Sequence, residues 1–491
     1  VSTAHGSKST GSIPFMHVVD SQMLAFNQGV TRRGSYAAYM NVWHPEIEEF
    51  INMRKESGGD INRKCLNLHN GVNINNEFLK AVEEDADWRL IDPKTNEPTK
   101  IINARELWWQ IINARAETGE PYIVNIDKCN EALPQKQKDL GLEIKQSNLC
   151  SEITLPTDEE RTAVCCLSSV NLEHFDEWSK DSFFVADLIT MLDNVLQHFI
   201  DNAIDTEKLG EYNANFKRFK KYIRKGKRGF TKAAYSAYRE RSIGLGAMGF
   251  HAYLQSKQIP FESIYASGFN HKAFKHIKTK SLESSERLAD SRGEAPDISG
   301  SGLRFAHLLA VAPNASSSII CGGTSPSIEP YRANVYTHKT LSGSYQVKNK
   351  YLEKLFKTKG IKGKKLTELW KDIAGQDGSV QHLKVLTEEE KEIFKTANEI
   401  NQIWVVEHAH QRQDFICQSQ SVNLFFVLPK ATESQAIHDE YMQYVNDVHW
   451  YGANKLKSLY YFRSNAARNA ENVNVKIPRI KLDEGCIACE G

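Results

Sequence analysis

The chain has 491 residues, with 62 Lys and Arg against 61 Asp and Glu and a net charge of +1. So even a balance supplies no global field to recruit nucleic acid or an anionic membrane, and any such binding would need a local patch. Apolar residues at 41% and charged residues at 25% are ordinary for a globular protein long enough for two or three domains or one large barrel. No run of eighteen apolar residues marks a membrane span, and the small polar start, Val1 to Lys8, is not a signal peptide. The nine cysteines are odd in number and irregularly spaced. That argues against a secreted disulfide framework and for a reducing compartment.

In chain order, Gln28 to Ser35 is a Gly-rich basic turn holding Arg32 and Arg33. Glu106 to Ile112 reads as helix, and Pro121 to Asn125 as a short strand. Asp181 to Asp201 is a second helix, with Phe184, Leu188, Leu192, Val195 and Phe199 at three- and four-residue spacing. Lys217 to Lys232 carries nine Lys or Arg with Phe219 and Tyr222 interleaved, and Lys357 to Lys365 is rich in Lys and Gly; both read as loops or insertions. The basic run could touch nucleic acid, although a solvated face is the commoner role. Ser421 to Leu428 and Ser458 to Arg463 are strand candidates. Thr432 with Gln435 predicts a capping box opening a helix with Ile437, Tyr441, Val445 and Val448 on one face. Strands alternating with helices favour an α/β fold with largely parallel strands. After Arg463 no apolar periodicity returns, so 464–491 reads as a mobile tail.

Several strings carry chemistry. In Asn148-Leu149-Cys150-Ser151-Glu152, the amide, thiol and carboxylate sit at i, i+2 and i+4, facing one way in an extended segment or loop tip. A carboxylate beside a cysteine raises the thiol pKa, which suits a thiolate nucleophile poorly. It suits better a neutral thiol that loses a hydrogen atom while the carboxylate takes a proton. Cys165-Cys166 lies in an apolar strand-like segment, where small buried hydrophobes would be the plain reading. Ala312 to Ser318 is rich in hydroxyls and small residues able to meet an anion. Gly244-Leu245-Gly246-Ala247-Met248-Gly249 is a GxGxxG string, but the polar, helical Ala233 to Arg241 before it denies it a dinucleotide-binding context. Cys486-Ile487-Ala488-Cys489 on a polar tail suits thiol–disulfide exchange; as a zinc site it would need two further ligands that do not lie nearby.

In this order the strings resemble the large subunits of class I ribonucleotide reductases, over roughly residues 5 to 491. The resemblance implies a ten-stranded α/β barrel of two parallel half-barrels. Residues 1–463 would form the catalytic barrel portion, with a finger loop near 146–157, and 464–491 a redox tail. Cys150 would become a thiyl radical that takes the 3′ hydrogen of the ribose, Glu152 would be the base, and Asn148 would hold the substrate. Cys165 would be one of two reducing thiols. Its partner in the family lies on an early strand, and no cysteine precedes Cys65 here. Tyr460 and Tyr461 would pass the radical to Cys150, and Cys486 and Cys489 would re-reduce the site. Pro313, Asn314, Ala315, Ser316 and Ser317 would bind the substrate diphosphate. Gln28, Arg32 and Arg33 would form the specificity loop, with Ser7-Lys8 in the neighbouring effector loop, and the glycine string would be a packing element.

The same resemblance implies no covalently bound cofactor and no metal in this chain. A radical would come from a metal-containing small (beta) subunit, with ATP or dNTP effectors, a thioredoxin or glutaredoxin reductant, and a homodimer of the completed large subunit. The short N-terminal region suggests a split subunit needing a separate N-terminal chain, in a bacterial or phage-infected cytoplasm. Two other classes fit less well. An adenosylcobalamin-dependent reductase would not need the tyrosine pair, and a non-catalytic nucleotide-binding assembly protein would not need Cys150.

Overall fold

The protein is seen in a computed structural model that describes residues 9–28, 32–340, 343–430 and 432–464, with the backbone alone at 27, 28, 32, 33, 339 and 340. Its strands in chain order are β1 (Asn27–Gln28), β2 (Arg32–Arg33), β3 (Ala37–Asn41), β4 (His69–Ile74), β5 (Asp87–Ile91), β6 (Pro98–Asn103) and β7 (Tyr122–Asn125). Then follow β8 (Leu167–Asn171), β9 (Gly244–Met248), β10 (Val335–Thr340), β11 (Gly343–Lys348), β12 (Leu424–Phe426), β13 (Ser458–Leu459) and β14 (Phe462–Ser464). Helices alternate with the central strands, as an α/β fold requires.

Two parallel runs make the frame. β3, β4 and β7 are parallel neighbours. On the other side β8 pairs in parallel with β9, β9 bridges to Leu309, and Val311 bridges to Gln420, again in parallel. The row continues through the backbone bonds of Tyr460 N–H to Val422 O and Leu424 N–H to Tyr461 O, and through the parallel pair β12–β14. The runs meet where β13 pairs antiparallel with β7. Two parallel groups joined at an antiparallel seam bear out an α/β fold with largely parallel strands. The ladders among the described residues form sheets of two to four strands, without a closed ten-stranded ring.

Local sequence explains the elements that carry the site. The helix Ala104–Thr118 starts where the Asn103 side chain accepts the Glu106 N–H and stops at Gly119, whose φ of +84° is a left-handed cap. It buries Leu107, Trp108, Ile111, Ile112 and Arg115. The helix Phe184–Ala203 buries a stripe rotated from the expected one: Val185, Ile189, Leu192, Leu196 and Ile200 are inside, while Val195 is exposed. The reason is Asp193, fully buried on that face and ion-paired with Arg241, Arg292 and Arg304, which fixes the roll of the helix. In the helix Gln435–Lys455 the cap is Ser434, whose hydroxyl accepts the Ile437 N–H, not Thr432, and Ile437 is exposed.

Other expectations are corrected too. Ser421 to Leu428 is strand only over β12, and Ser458 to Arg463 breaks into β13 and β14. The Lys357 to Lys365 stretch is no long loop. The helices Lys350–Thr358 and Gly363–Gly375 reach into it, because Leu352, Phe356, Ile361, Trp370 and Ile373 form a separate small core. In the basic run, Phe219 is fully buried against Tyr235 and Tyr238, while Arg218 covers Tyr222, so its aromatics are not offered to a base. The glycine string is β9 itself. A Cβ on Gly246 would stand 2.5 Å from the Ala310 carbonyl oxygen, and one on Gly244 would stand 2.4 Å from Leu167. These glycines let neighbouring strands approach, which is the packing role.

Candidate active site

The segment 146–157 enters the frame as a loop whose tip is a turn, the loop-tip alternative of the two that the spacing allows. The Ser151 N–H donates to Asn148 O at 3.3 Å, and Ser151 takes a left-handed φ of +66°. The fold holds this tip on all sides. Ser421 donates to Cys150 O at 2.5 Å, Ser458 to Ser151 O at 2.8 Å, and the Ser419 N–H to Glu152 O at 2.9 Å. Tyr39, from β3, donates to Asn148 O at 2.5 Å. Each carbonyl of the tip from Asn148 and Cys150 to Glu152 is therefore anchored, and the side chains are left for chemistry.

Across the turn the Asn148 amide donates to Glu152 Oε2 at 2.9 Å, and its oxygen accepts the Ile153 N–H at 3.1 Å. Glu152 is only 2% exposed. Burial pushes its carboxyl above the usual carboxylate range, opposed by the hydrogen bonds from Asn148 and Ser421. The same amide stands 4.0 Å from Cys165 Sγ. Protein packed around the Cys165 thiol pushes it up to about 12, with Glu152 and Cys150 adding to the effect. It is thus a neutral thiol at physiological pH. The adjacent cysteine points elsewhere: Cys166 is buried with its sulfur 3.6 Å from Leu192 O on a helix. The structure brings Cys150, Glu152, Asn148 and Cys165 together and leaves Cys166 out.

Tyr460 and Tyr461 lie between β13 and β14, with ring centroids 4.2 Å apart. The Tyr460 phenol is hydrogen-bonded with the Cys150 thiol, and burial pushes its pKa far up, with Tyr461 and Cys150 adding to this. An unbroken contact therefore runs from Tyr461 through Tyr460 to Cys150. Arg115, fully buried in its helix, donates to Tyr460 O at 2.9 Å and also to Pro121 O. Around Tyr461 stand residues that the sequence reading did not single out. Tyr122 has its ring 4.8 Å from Tyr460 and 5.2 Å from Tyr461, and the Arg463 guanidinium lies 4.0 Å over the Tyr461 ring. Their signal was slight: Tyr122 opens the short strand β7 and Arg463 ends the Ser458 to Arg463 strand candidate.

The hydroxyl-rich segment sits beyond the parallel run. Asn314 has a φ of +50°, and its amide donates to Ser169 Oγ on β8 at 2.9 Å and to Ala247 O on β9 at 3.3 Å. Ala315, Ser316 and Ser317 are exposed at the start of a short helix, Ala315–Ile320, and Pro313 is half-buried. Gln28, Arg32 and Arg33 fall on the β1–β2 hairpin, where Gln28 pairs with Arg32, and their side chains lie outside the described residues. Ser7, Lys8, Cys486 and Cys489 lie outside them as well. Among the described residues no helix is long and apolar enough to cross a membrane.

The family description "Ribonucleotide reductase, barrel domain" matches residues 2–301 and 295–462. A ribonucleoside-diphosphate reductase large subunit of Invertebrate iridescent virus 3 is 43% identical over 543 residues, covering 99% of this chain and 80% of that protein. One of Caenorhabditis elegans is 28% identical over 98% of this chain and 65% of its own length. Among solved structures, the Actinobacillus ureae class Id ribonucleotide reductase alpha subunit superposes with a TM-score of 0.74 at 33% identity, over 95% of this chain and 76% of that one. With a family match over most of its length and a thiol, carboxylate and amide gathered on one anchored loop, the chain belongs to the ribonucleotide reductase large-subunit family.

Proposed function

We propose that this chain is the catalytic subunit of a ribonucleoside-diphosphate reductase, converting ribonucleotides to 2′-deoxyribonucleotides by thiyl-radical chemistry. The observation that carries the reading is the contact series Tyr461–Tyr460–Cys150 ending beside Glu152, Asn148 and Cys165. A radical delivered to Tyr461 passes to Tyr460 and then to Cys150, which takes the 3′ hydrogen atom of the ribose. Glu152 accepts the 3′ hydroxyl proton, and the 2′ hydroxyl leaves as water. Two electrons and two protons come from Cys165 and a second thiol, which become a disulfide, and the 3′ hydrogen returns from Cys150. A buried carboxyl with a raised pKa is a stronger base once ionised, and Asn148 both orients it and presents its amide to the substrate.

On this reading the substrate diphosphate lies against Pro313 to Ser317, a segment that the Asn314 amide ties to β8 and β9. Cys486 and Cys489 re-reduce the site and are renewed by a thioredoxin or glutaredoxin. Gln28, Arg32 and Arg33 relay an ATP or dNTP effector. A metal-containing small subunit supplies the radical, the large subunit works as a homodimer, and the two parallel runs are halves of a ten-stranded barrel. The test is reconstitution with a radical-bearing small subunit, a dithiol and a ribonucleoside diphosphate. Deoxynucleotide should form with the parent chain and not with Cys150→Ser. Equal rates in the two would overturn the proposal, and turnover driven by adenosylcobalamin without a small subunit would overturn the tyrosine relay.

A further inference from the structure

The register of the β3–β4–β7 sheet has a consequence for Tyr461. Gly71 of β4 lies opposite Tyr122 of β7. His69 opens β4 and Glu120 lies two residues before β7, so the two side chains meet beside the start of this parallel pair. His69 Nδ1 is 2.6 Å from Glu120 Oε1, and the same nitrogen is 3.3 Å from the Tyr461 phenol oxygen. Glu120 is tied down in turn: Arg54 Nε is 3.3 Å from Oε2, and the Asn70 N–H donates to that oxygen at 3.0 Å.

We infer that His69 is a positioning residue for Tyr461, its Nδ1–H holding the phenol oxygen while Glu120 dictates that this nitrogen carries the proton. Burial would drive a proton onto Glu120, but Arg54 and His69 outweigh it and hold the carboxyl below the usual carboxylate range. An ionised carboxylate only accepts hydrogen bonds, so the 2.6 Å contact requires a proton on His69 Nδ1. The Tyr461 oxygen beside that nitrogen is then a second acceptor. The phenol proton of Tyr461 then points away from His69, while the rings of Tyr122 and Tyr460 pack against the Tyr461 ring. Edge-on contact with His69, at 6.0 Å and 75°, completes the clamp with Arg463 over the ring face.

The inference rests on Tyr461 as a radical carrier for its meaning, but its test does not. In the full chain with 3-nitrotyrosine at position 461, the nitrophenol is titrated by its absorbance. His69→Phe removes the donor while the Glu120 charge stays, so the titration midpoint should rise by about one pH unit. His69→Gln, which keeps an N–H donor, should rise less, and Glu120→Gln, which removes the negative charge, should fall. A structural role alone would give no such ordering. Midpoints unmoved in His69→Phe, or moved equally by His69→Phe and His69→Gln, would overturn the inference. Separately, turnover by Tyr461→Phe at the parent rate would overturn the relay reading while leaving the titration result standing.

Discussion

Asn148→Leu should move the pH dependence of turnover in a direction and by an amount that the loop geometry sets. The Asn148 amide donates to Glu152 Oε2 at 2.9 Å, inside a site where the carboxyl is already raised by burial. A hydrogen bond to an ionised group is worth about 1.5–3 kcal/mol net. At roughly 1.4 kcal/mol per pKa unit, its loss lifts the Glu152 pKa by about one to two further units. Glu152 works as a base, so only its ionised form is competent, and the acid limb of kcat/KM shifts to higher pH by that amount. The Ser421 hydroxyl divides its proton between Cys150 O at 2.5 Å and Glu152 Oε2 at 3.3 Å, so Ser421→Ala should shift the limb by less than about one unit. The assay is kcat/KM across roughly pH 5 to 9 for parent and both variants. Loss of rate with an unmoved acid limb would refute the reasoning, and so would a larger shift in Ser421→Ala than in Asn148→Leu.

Three further outcomes are expected. Cys165→Ser should abolish repeated turnover supported by a dithiol. Cys166→Ser, at a buried thiol that donates to Leu192 O, should keep turnover and lose about 1 kcal/mol of stability in denaturant unfolding. Equal activities in the two would reverse the assignment of the reducing thiol. Gly246→Ala puts a methyl 2.5 Å from Ala310 O in the middle of the parallel run and should cost about 1–3 kcal/mol in the same unfolding assay; an unchanged midpoint would show that the strands part easily. Glu240, buried beside Asp297, has its carboxyl pushed up to about 8 by burial, with the Asp297 charge adding to this, from an ordinary 4.5. The folded chain therefore keeps a proton that the unfolded chain has lost, so stability falls as pH rises from about 4.5 to 8. Glu240→Gln should flatten that slope, as read from unfolding midpoints at pH 5 and 8.

What the sequence disclosed and what it withheld differ in kind. Cys150, Glu152 and Asn148 were legible because all three lie on one turn, where short-range spacing decides who meets whom. The orientation of that turn was not, because Ser151 is left-handed and the anchors on Asn148, Cys150, Ser151 and Glu152 come from segments far away in the chain. The resemblance picked out Cys165 over Cys166, but the physical reason needed the structure, where one side of their segment faces the loop and the other faces Leu192. Helix periodicity located the helix Phe184–Ala203 but missed its roll, because a buried aspartate with three arginines outranks the apolar count. His69 and Glu120 were invisible for the same reason. Their meeting depends on how the start of β4 lies beside the lead-in to β7, and no local pattern carries that.

The tyrosine pair stands where it does because of how the two parallel runs are sewn together. β13 follows the antiparallel direction of β7, while β14 must run parallel to β12, so the chain changes partners between Leu459 and Phe462. Tyr460 and Tyr461 occupy that crossover. Their N–H groups go to Val422 O and Asn423 Oδ1, and a buried Arg115 joins Tyr460 O to the entry of β7. Within a continuous strand, adjacent side chains point to opposite faces and two neighbouring phenols would be split by the sheet. A break frees them to lie against each other, at 4.2 Å between centroids, with one reaching Cys150 and the other reaching the His69–Glu120 pair. The seam also fixes the site's other side. The serines that anchor the loop tip, Ser419, Ser421 and Ser458, belong to the segments that meet there. The strand arrangement and the reactive cysteine are thus one construction: the place where parallel order has to fail is the place where the thiol, its base and the phenols can share a contact.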